Sequence, residues 1–351
     1  MAKVKIGVIG CGQIADLTIW GYREDERVEL VAVCDSDAER AAARAAEWSA
    51  RKIYADYREL LQDEEIDAVE IITPHDLHCT MTVEAARAGK HISVQKPMAC
   101  TVSEARQMID AANKAGVVLR VNDPYVFYPP IVKAKELLEA GEIGPLAMIR
   151  VRTTVGSMEC GWKVNPNAWA WRFDPKRSGG GNMLDDMHHK FAAALYLGGD
   201  VEKVSAFVEN REFFADAPAT VMWKYKSGQV YGVMECVHAN DMYIKTRYYN
   251  CEERFELTGS SGIIWITRCT GQLLDMPALI LYRDGETREF HGLAAEWEEG
   301  FKGSNRHFID CLLEGTTPHL TGEEAIKVMQ FALSTYASDD AQAAVNPEAV
   351  S

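Results

Sequence analysis

The sequence predicts an α/β protein, and three observations carry that expectation. Short apolar runs alternate with helical stretches through the first third, a glycine-rich turn follows the first run, and an aspartate closes the second. Such alternation builds a parallel sheet covered by helices on both faces, with ligands beyond the carboxyl ends of the strands. Residues 1–123 are expected to form this half, and residues 124–351 a second domain.

Val4–Ile9 reads as a buried strand, and Gly10-Cys11-Gly12-Gln13-Ile14-Ala15 after it fits G-x-G-x-x-A. The first glycine permits a tight turn, the second lets backbone approach a pyrophosphate, and Ala15 lets helix and strand pack closely. The strand Val28–Cys34 ends at Asp35, whose carboxylate can accept both hydroxyls of an adenosine ribose and would repel a 2′-phosphate. Together these residues predict a dinucleotide site that takes NAD in preference to NADP.

The alternation continues with a helix over Ala38–Trp48 and a strand over Ala68–Ile72 that leads to Thr73, Pro74 and His78. A helix over Thr80–Ala88 ends at Gly89, and a strand over His91–Val94 runs into Gln95-Lys96-Pro97. A helix over Ser103–Ala115 and a strand over Val117–Asn122 complete the half. Asp35, Thr73, His78, Lys96 and Asn122 therefore fall at strand ends. Pro97 restricts the backbone at Lys96 and is a candidate for a cis bond, which would aim the lysine across the crevice.

Ile131–Ala140 reads as a helix leading out of this half, and from Leu146 the pattern shifts to strands. Residues 148–155, 204–208, 219–225, 230–238 and 254–258 are expected in one sheet. Between them, Gly179-Gly180-Gly181 precedes Asp185-Asp186-Met187-His188-His189, two carboxylates and two imidazoles in five residues. Imidazole titrates near neutrality, so a histidine held by a carboxylate is a natural proton acceptor or metal ligand. If the helical run Phe191–Leu197 extends back through the cluster, Asp185 and His189 share a face at i and i+4. Adjacent histidines seldom aim at one ion, so no metal is expected.

The loop over 158–178 carries Trp162, Trp169, Trp171, Arg172, Lys176 and Arg177. Such aromatic faces suit the C–H face of a pyranose, or a subunit interface. His238, with Asn240 and Asp241, either lines the same pocket or is structural, and the end of the small, polar, acidic tail over 338–351 is expected to fray.

A formal net charge of −15 argues against nucleic acid and anionic membrane surfaces as partners. Nine scattered cysteines without a Cys-x-x-Cys pair read as reduced thiols in a cytoplasmic protein. The first apolar run is too short for a signal peptide or a membrane span.

Taken in order, Gly10-x-Gly12-x-x-Ala15, Thr73-Pro74 with His78, Ala88-Gly89-Lys90-His91, Lys96-Pro97 and Gly179–Gly181 with Asp185 and His189 resemble the Gfo/Idh/MocA oxidoreductases. Gly141-Glu142-Ile143-Gly144, Gly259-Ser260-Ser261-Gly262, the Phe308–Leu312 helix with Gly315, and Gly322-Glu323 extend the resemblance over nearly the whole chain. It implies an N-terminal Rossmann dinucleotide-binding domain and a C-terminal α/β domain with an open, largely antiparallel sheet. It also implies pairing through the outer face of that sheet into homodimers or homotetramers.

On matching positions the resemblance places NAD against Gly10, Gly12, Gln13, Ile14, Asp35, Thr73, Pro74, His78, Gln95, Lys96 and Asn122. It makes Lys96 the lysine beside nicotinamide and substrate hydroxyl, His189 the proton acceptor and Asp185 a substrate-binding carboxylate. Tyr125, Trp171 and Arg172 are expected to add substrate contacts. Oxidising an alcohol needs a base at the hydroxyl and a cation for the charge that develops there, and either His189 or Lys96 can take the proton.

Three departures stand out. Gln95 replaces the family's usual glutamate, and Ala192 replaces an acid three residues after His189. Asp123–Pro129 is aromatic where asparagine and arginine are usual, which predicts stacking contacts with substrate. The expected function is NAD-dependent oxidation of a secondary hydroxyl of a sugar, cyclitol or glycoside, glycoside 3-oxidation included. Redox-neutral, NAD-dependent glycoside cleavage and a non-catalytic dinucleotide or sugar sensor are the alternatives.

Overall fold

The apolar run Val4–Ile9 forms β1, the strand from which the first sheet grows in both directions. The computed structural model describes residues 3–163 and 165–351. After β1 come α1 (Ala15–Thr18), α2 (Trp20–Glu24), β2 (Val28–Cys34), α3 (Ala38–Trp48), β3 (Lys52–Tyr54), α4 (Tyr57–Gln62) and β4 (Ala68–Ile71). The half continues through α5 (His75–Arg87), β5 (His91–Gln95), α6 (Val102–Ala115) and β6 (Leu119–Asn122). The six strands are parallel in the order β3-β2-β1-β4-β5-β6, the Rossmann arrangement, with a crevice where the order reverses between β1 and β4. Separate apolar clusters cover its two faces, one around Val31, Val69 and Ile92, the other around Ile6, Val8 and Val33.

Helix ends follow local chemistry. Asp37 caps α3 by accepting from Arg40 N, and Thr101 with Glu104 forms a capping box on α6, which ends on left-handed Gly116. The start of α5 differs from expectation. α5 begins at His75, with Pro74 as its cap residue and Asp76 in its first turn, so His75 and His78 lie on helix rather than in a strand-end loop. β3 was not anticipated because it is three residues long and only half-buried.

Beyond a 3-10 turn at Pro124–Phe127 lie α7 (Pro129–Glu139), β7 (Leu146–Val155), α8 (Pro166–Trp169), α9 (Pro175–Ser178) and α10 (Met187–Gly198). Then come β8 (Val201–Val208), β9 (Ala219–Tyr225), β10 (Tyr231–His238), β11 (Lys245–Thr246), β12 (Cys251–Gly259), β13 (Gly262–Ile266), β14 (Gly271–Gln272), β15 (Leu279–Arg283) and β16 (Glu286–Glu289). The chain ends through α11 (Glu298–Glu314) and α12 (Gly322–Ala341). Eight strands form an open sheet in the order β16-β15-β13-β12-β7-β10-β9-β8, antiparallel except where β7 meets β10. The sequence pattern had located only five of them. The expected fold class is thus borne out.

The inner face of this sheet alternates as Val201, Val204, Ala206 and Val208 do along β8, and packs on α10 and α12. The last two helices also return to the first half. Thr321 bridges Arg120, and Gly21 of α2 lies so close to α11 that a Cβ would stand 2.9 Å from Lys302 Cα. The start of the tail is held: Ser338 is still within α12, and Val345 and Val204 exchange backbone hydrogen bonds at 2.9 Å. No helix among the described residues is long and apolar enough to cross a membrane.

Candidate active site

Gly10 sits at φ 97°, and a Cβ there would lie 2.4 Å from Ile72 O, so the turn after β1 tolerates no side chain. Gly12 is different: its Cβ would meet nothing within 4 Å, and this open space beside the turn fits the close approach of a pyrophosphate. Asp35 accepts from Cys11 N at 2.8 Å and from Asp37 N at 2.9 Å, one bond to each oxygen. Its remaining lone pairs fit a ribose diol, with Arg40 alongside at 3.3 Å. Gln13 and Ile14 continue from this turn into α1, and Thr73 and Pro74 lead from β4 into α5. The residues present therefore suit NAD.

Two expected cofactor contacts are spent elsewhere. His78 is buried with its ring between Pro97 O at 2.9 Å and Thr73 O at 2.8 Å, so it ties two turns together and has no edge left for a ligand. Asn122 is buried too, donating to Glu70 at 3.0 Å and accepting from Ser304 at 2.8 Å. Both belong to the framework. Gln95 accepts from Lys96 N and donates to Thr18, which fixes the start of the Lys96–Pro97 turn, where the peptide bond is cis.

Lys96 Nζ donates to Asp185 Oδ1 and to Asp185 O, both at 2.8 Å. Arg172 Nε takes the other carboxylate oxygen at 2.6 Å. Burial alone would raise the Asp185 pKa, but Lys96, Arg172 and His75 hold it well below the usual carboxylate range. His75 faces Asp185 at 4.0 Å and donates Nδ1–H to Ser178 O at 2.9 Å; burial pushes its pKa down to about 3, so the ring is neutral.

The aromatic loop folds into α8, a 3-10 turn and α9, and delivers Arg172 with its guanidinium 4.7 Å from the Trp169 ring and 4.4 Å from Trp171. Trp171 meets His75 edge-on at 4.6 Å. The glycines that follow are steric necessities. A Cβ on Gly179 would stand 2.6 Å from Cys100 Cα, and one on Gly181 would strike the Asp216 carboxylate at 2.3 Å. Asp216 accepts from Met183 N and from Tyr336 Oη, which itself accepts from Gly181 N. The segment that carries Asp185 is thereby fastened to the loop before β9 and to α12.

Because α10 starts at Met187, Asp185 lies before the helix and the expected shared face with His189 does not form. His189 instead places Nδ1 2.8 Å from Asp123 Oδ1, and His188 places Nδ1 3.2 Å from Oδ2 of the same residue. Asp123 is fully buried; burial would raise its pKa, but the two imidazoles hold it far below the carboxylate range. Tyr125 stacks on His189 at 4.6 Å and 12° and donates to Glu253 at 2.7 Å. Its ring is buried, so Tyr125 supports the histidine instead of stacking on substrate. Lys190, also buried, joins Glu253 to Asp186. His238 is exposed at the end of β10.

Asp123, His75, Glu253, Lys190, Asp216 and Tyr336 were not singled out from the sequence. Asp123 alone offered a local signal, an acid directly after a parallel strand, as Asp35 is.

A family model described as "Oxidoreductase family, NAD-binding Rossmann fold" matches residues 4–123, and a GFO/IDH/MocA C-terminal domain model matches 131–265. The chain belongs to the Gfo/Idh/MocA oxidoreductase family. Membership makes it an oxidoreductase with NAD as cofactor. D-apiose dehydrogenase of Paraburkholderia graminis is 28% identical over 96% of this chain and 88% of its own. Myo-inositol 2-dehydrogenase of Thermotoga maritima is 25% identical, covering 92% of each chain. The structure of levoglucosan dehydrogenase with NADH and levoglucosan superposes with a TM-score of 0.84 at 22% identity, covering 98% of this chain and 99% of that one, and so shares the fold.

Proposed function

We propose that this protein oxidises a secondary hydroxyl of a sugar, cyclitol or glycoside, with hydride passing to NAD. The observation that carries the reading is the pairing of two kinds of group on one short segment, Asp185 held by Lys96 and His189 held by Asp123. NAD, when bound, supplies the hydride acceptor. Lys96 donates to the hydroxyl oxygen and stabilises the charge that grows there as the C–H bond breaks. His189 takes the hydroxyl proton on Nε2, and Asp123 at Nδ1 balances the imidazolium. Asp185 orients the hydroxyl while keeping Lys96 extended toward it.

The substrate class draws support from the relatives, whose names are those of D-apiose and myo-inositol dehydrogenases. Trp169 and Trp171 support a ring substrate, since a pyranose stacks its C–H face on indole and hydrogen-bonds at its edge. Assembly through the outer face of the eight-stranded sheet fits the exposed Phe207, Met222 and Tyr231, where Met222 pairs with Val233 and Tyr231 with Lys224 across β9 and β10. Sedimentation giving a dimer or tetramer, reduced to monomer by Met222→Glu, tests that arrangement.

A screen of free sugars, inositols and aryl glycosides, following NADH absorbance and product mass together, tests the activity. NADH with a ketone product supports the reading, whereas cleavage of a glycoside without net NADH replaces it with the redox-neutral route. Absence of both across the panel, in protein that binds NAD, overturns it.

A further inference from the structure

Asp123 holds two imidazoles, and the proposed reaction uses one of them. Oδ1 takes His189 and the backbone N–H of Tyr125 at 3.0 Å, while Oδ2 takes His188. A carboxylate tethered at one oxygen can rotate about its Cβ–Cγ bond, and tethering the second removes that freedom. We infer that His188 is a positioning residue that acts through Asp123 to set the orientation of His189. The inference rests on the reading of His189 as proton acceptor.

His188 is 1% exposed, and its Nε2 is buried with no hydrogen-bond partner among the described residues. A buried nitrogen without a partner is a cost that leucine or methionine in the same space would not carry. What the imidazole supplies in return is the Nδ1 contact to Asp123. Burial lowers the His188 pKa, so the ring is neutral and the proton it shares with Asp123 Oδ2 sits on Nδ1.

That donor draws negative charge from the carboxylate that supports a protonated His189. Removing it frees the Asp123 carboxylate to turn and changes the hydrogen bond it accepts from His189. The other charged groups around the pair are Lys96 from β5, Asp186 and Lys190 at α10, and Glu253 from β12. All are already matched, Lys96 with Asp185 and Lys190 with both Asp186 and Glu253, so a change at His188 leaves them in place. Tyr125 and Trp297 pack on His189 as uncharged rings.

The test compares His188→Leu, which removes the donor, with His188→Asn, whose amide nitrogen can stand near the position of Nδ1. Side-chain 15N NMR of the NAD-bound protein at a single pH reads the His189 Nδ1–H hydrogen bond to Asp123 directly, without turnover. We expect that signal to shift in His188→Leu and to stay near wild type in His188→Asn. With a substrate from the screen, kcat should be about tenfold lower in His188→Leu with both KM values unchanged, and restored toward wild type in His188→Asn. An unmoved His189 Nδ1–H signal in folded His188→Leu overturns the inference, as does His188→Asn behaving like His188→Leu. Lys96→Met separates the two readings: full turnover in that variant sinks the proposed reaction, while the NMR result still decides the role of His188.

Discussion

Lys96 reaches Asp185 twice, donating from one ammonium to the side-chain Oδ1 and to the backbone carbonyl, each at 2.8 Å. The lysine is therefore fixed in place by a residue 89 positions away before any substrate arrives. Replacing it by methionine keeps the length and removes both bonds and the charge. Lys96→Met is expected to lower kcat by about a hundredfold to a thousandfold. NADH-monitored turnover checks this, and NAD binding should persist because Asp35 and the glycine turn are untouched.

Arg172 is the one part of this arrangement delivered by the aromatic loop. In Arg172→Ala, Asp185 keeps Lys96 but loses its second cation, and Trp169 and Trp171 lose the guanidinium that each lies against. The expected result is a KM for substrate raised by about tenfold or more with a smaller fall in kcat, because the change removes binding contacts more than transition-state charge. Equal falls in kcat and kcat/KM would instead put Arg172 in the chemical step.

Gly10 and Gly12 should separate folding from cofactor binding. Gly10→Ala forces a Cβ onto Ile72 O at a left-handed φ and is expected to cost about 1–3 kcal/mol, read as a lowered thermal midpoint. Gly12→Val enters open space, so the midpoint of the cofactor-free protein should hold while NAD affinity falls by about tenfold or more. Fluorescence titration with NADH measures the second effect.

His75 gives stability an acid-side slope. Its unfolded-state pKa is near 6.5 and its folded-state value is pushed down to about 3 by burial. Between those values the unfolded chain binds the proton and the folded one does not, so stability falls as pH falls from about 6 toward 3, at up to about 1.4 kcal/mol per unit. His75→Gln should flatten that slope. Denaturation midpoints at pH 7 and pH 5 for wild type and variant provide the comparison, and equal slopes would exclude His75 as the source.

Local pattern was enough to find β1, β2, β9 and α3 to the residue, because each is an uninterrupted apolar or amphipathic run, bounded by Gly10 after β1, Asp35 after β2, Pro218 before β9, and Asp37 and Ser49 around α3. It failed at β3 and β16, short strands, the first half-buried and the second exposed, that carry no apolar alternation to detect. Within the site, Lys96, Asp185 and His189 stood out by type and place. Their partners did not, since Asp123 lies 66 positions from His189 and meets it only once β6 and α10 have packed. The same limit explains Tyr125, whose aromatic ring suggested a ligand surface until the buried stack on His189 gave it another use.

The bridge between Arg120 and Thr321, with Val121 N donating to Leu320 O at 2.8 Å, lies along the outer margin of β6. That margin is the rim of the parallel sheet, where unpaired amides would otherwise template association with other chains. A protein truncated at residue 123 would uncover it, together with the contact faces of α2 and β6 that α11 and α12 shield. Such a fragment is expected to self-associate through the bared rim, because the edge of the nucleotide-binding half is covered by helices that lie far downstream of its own final strand.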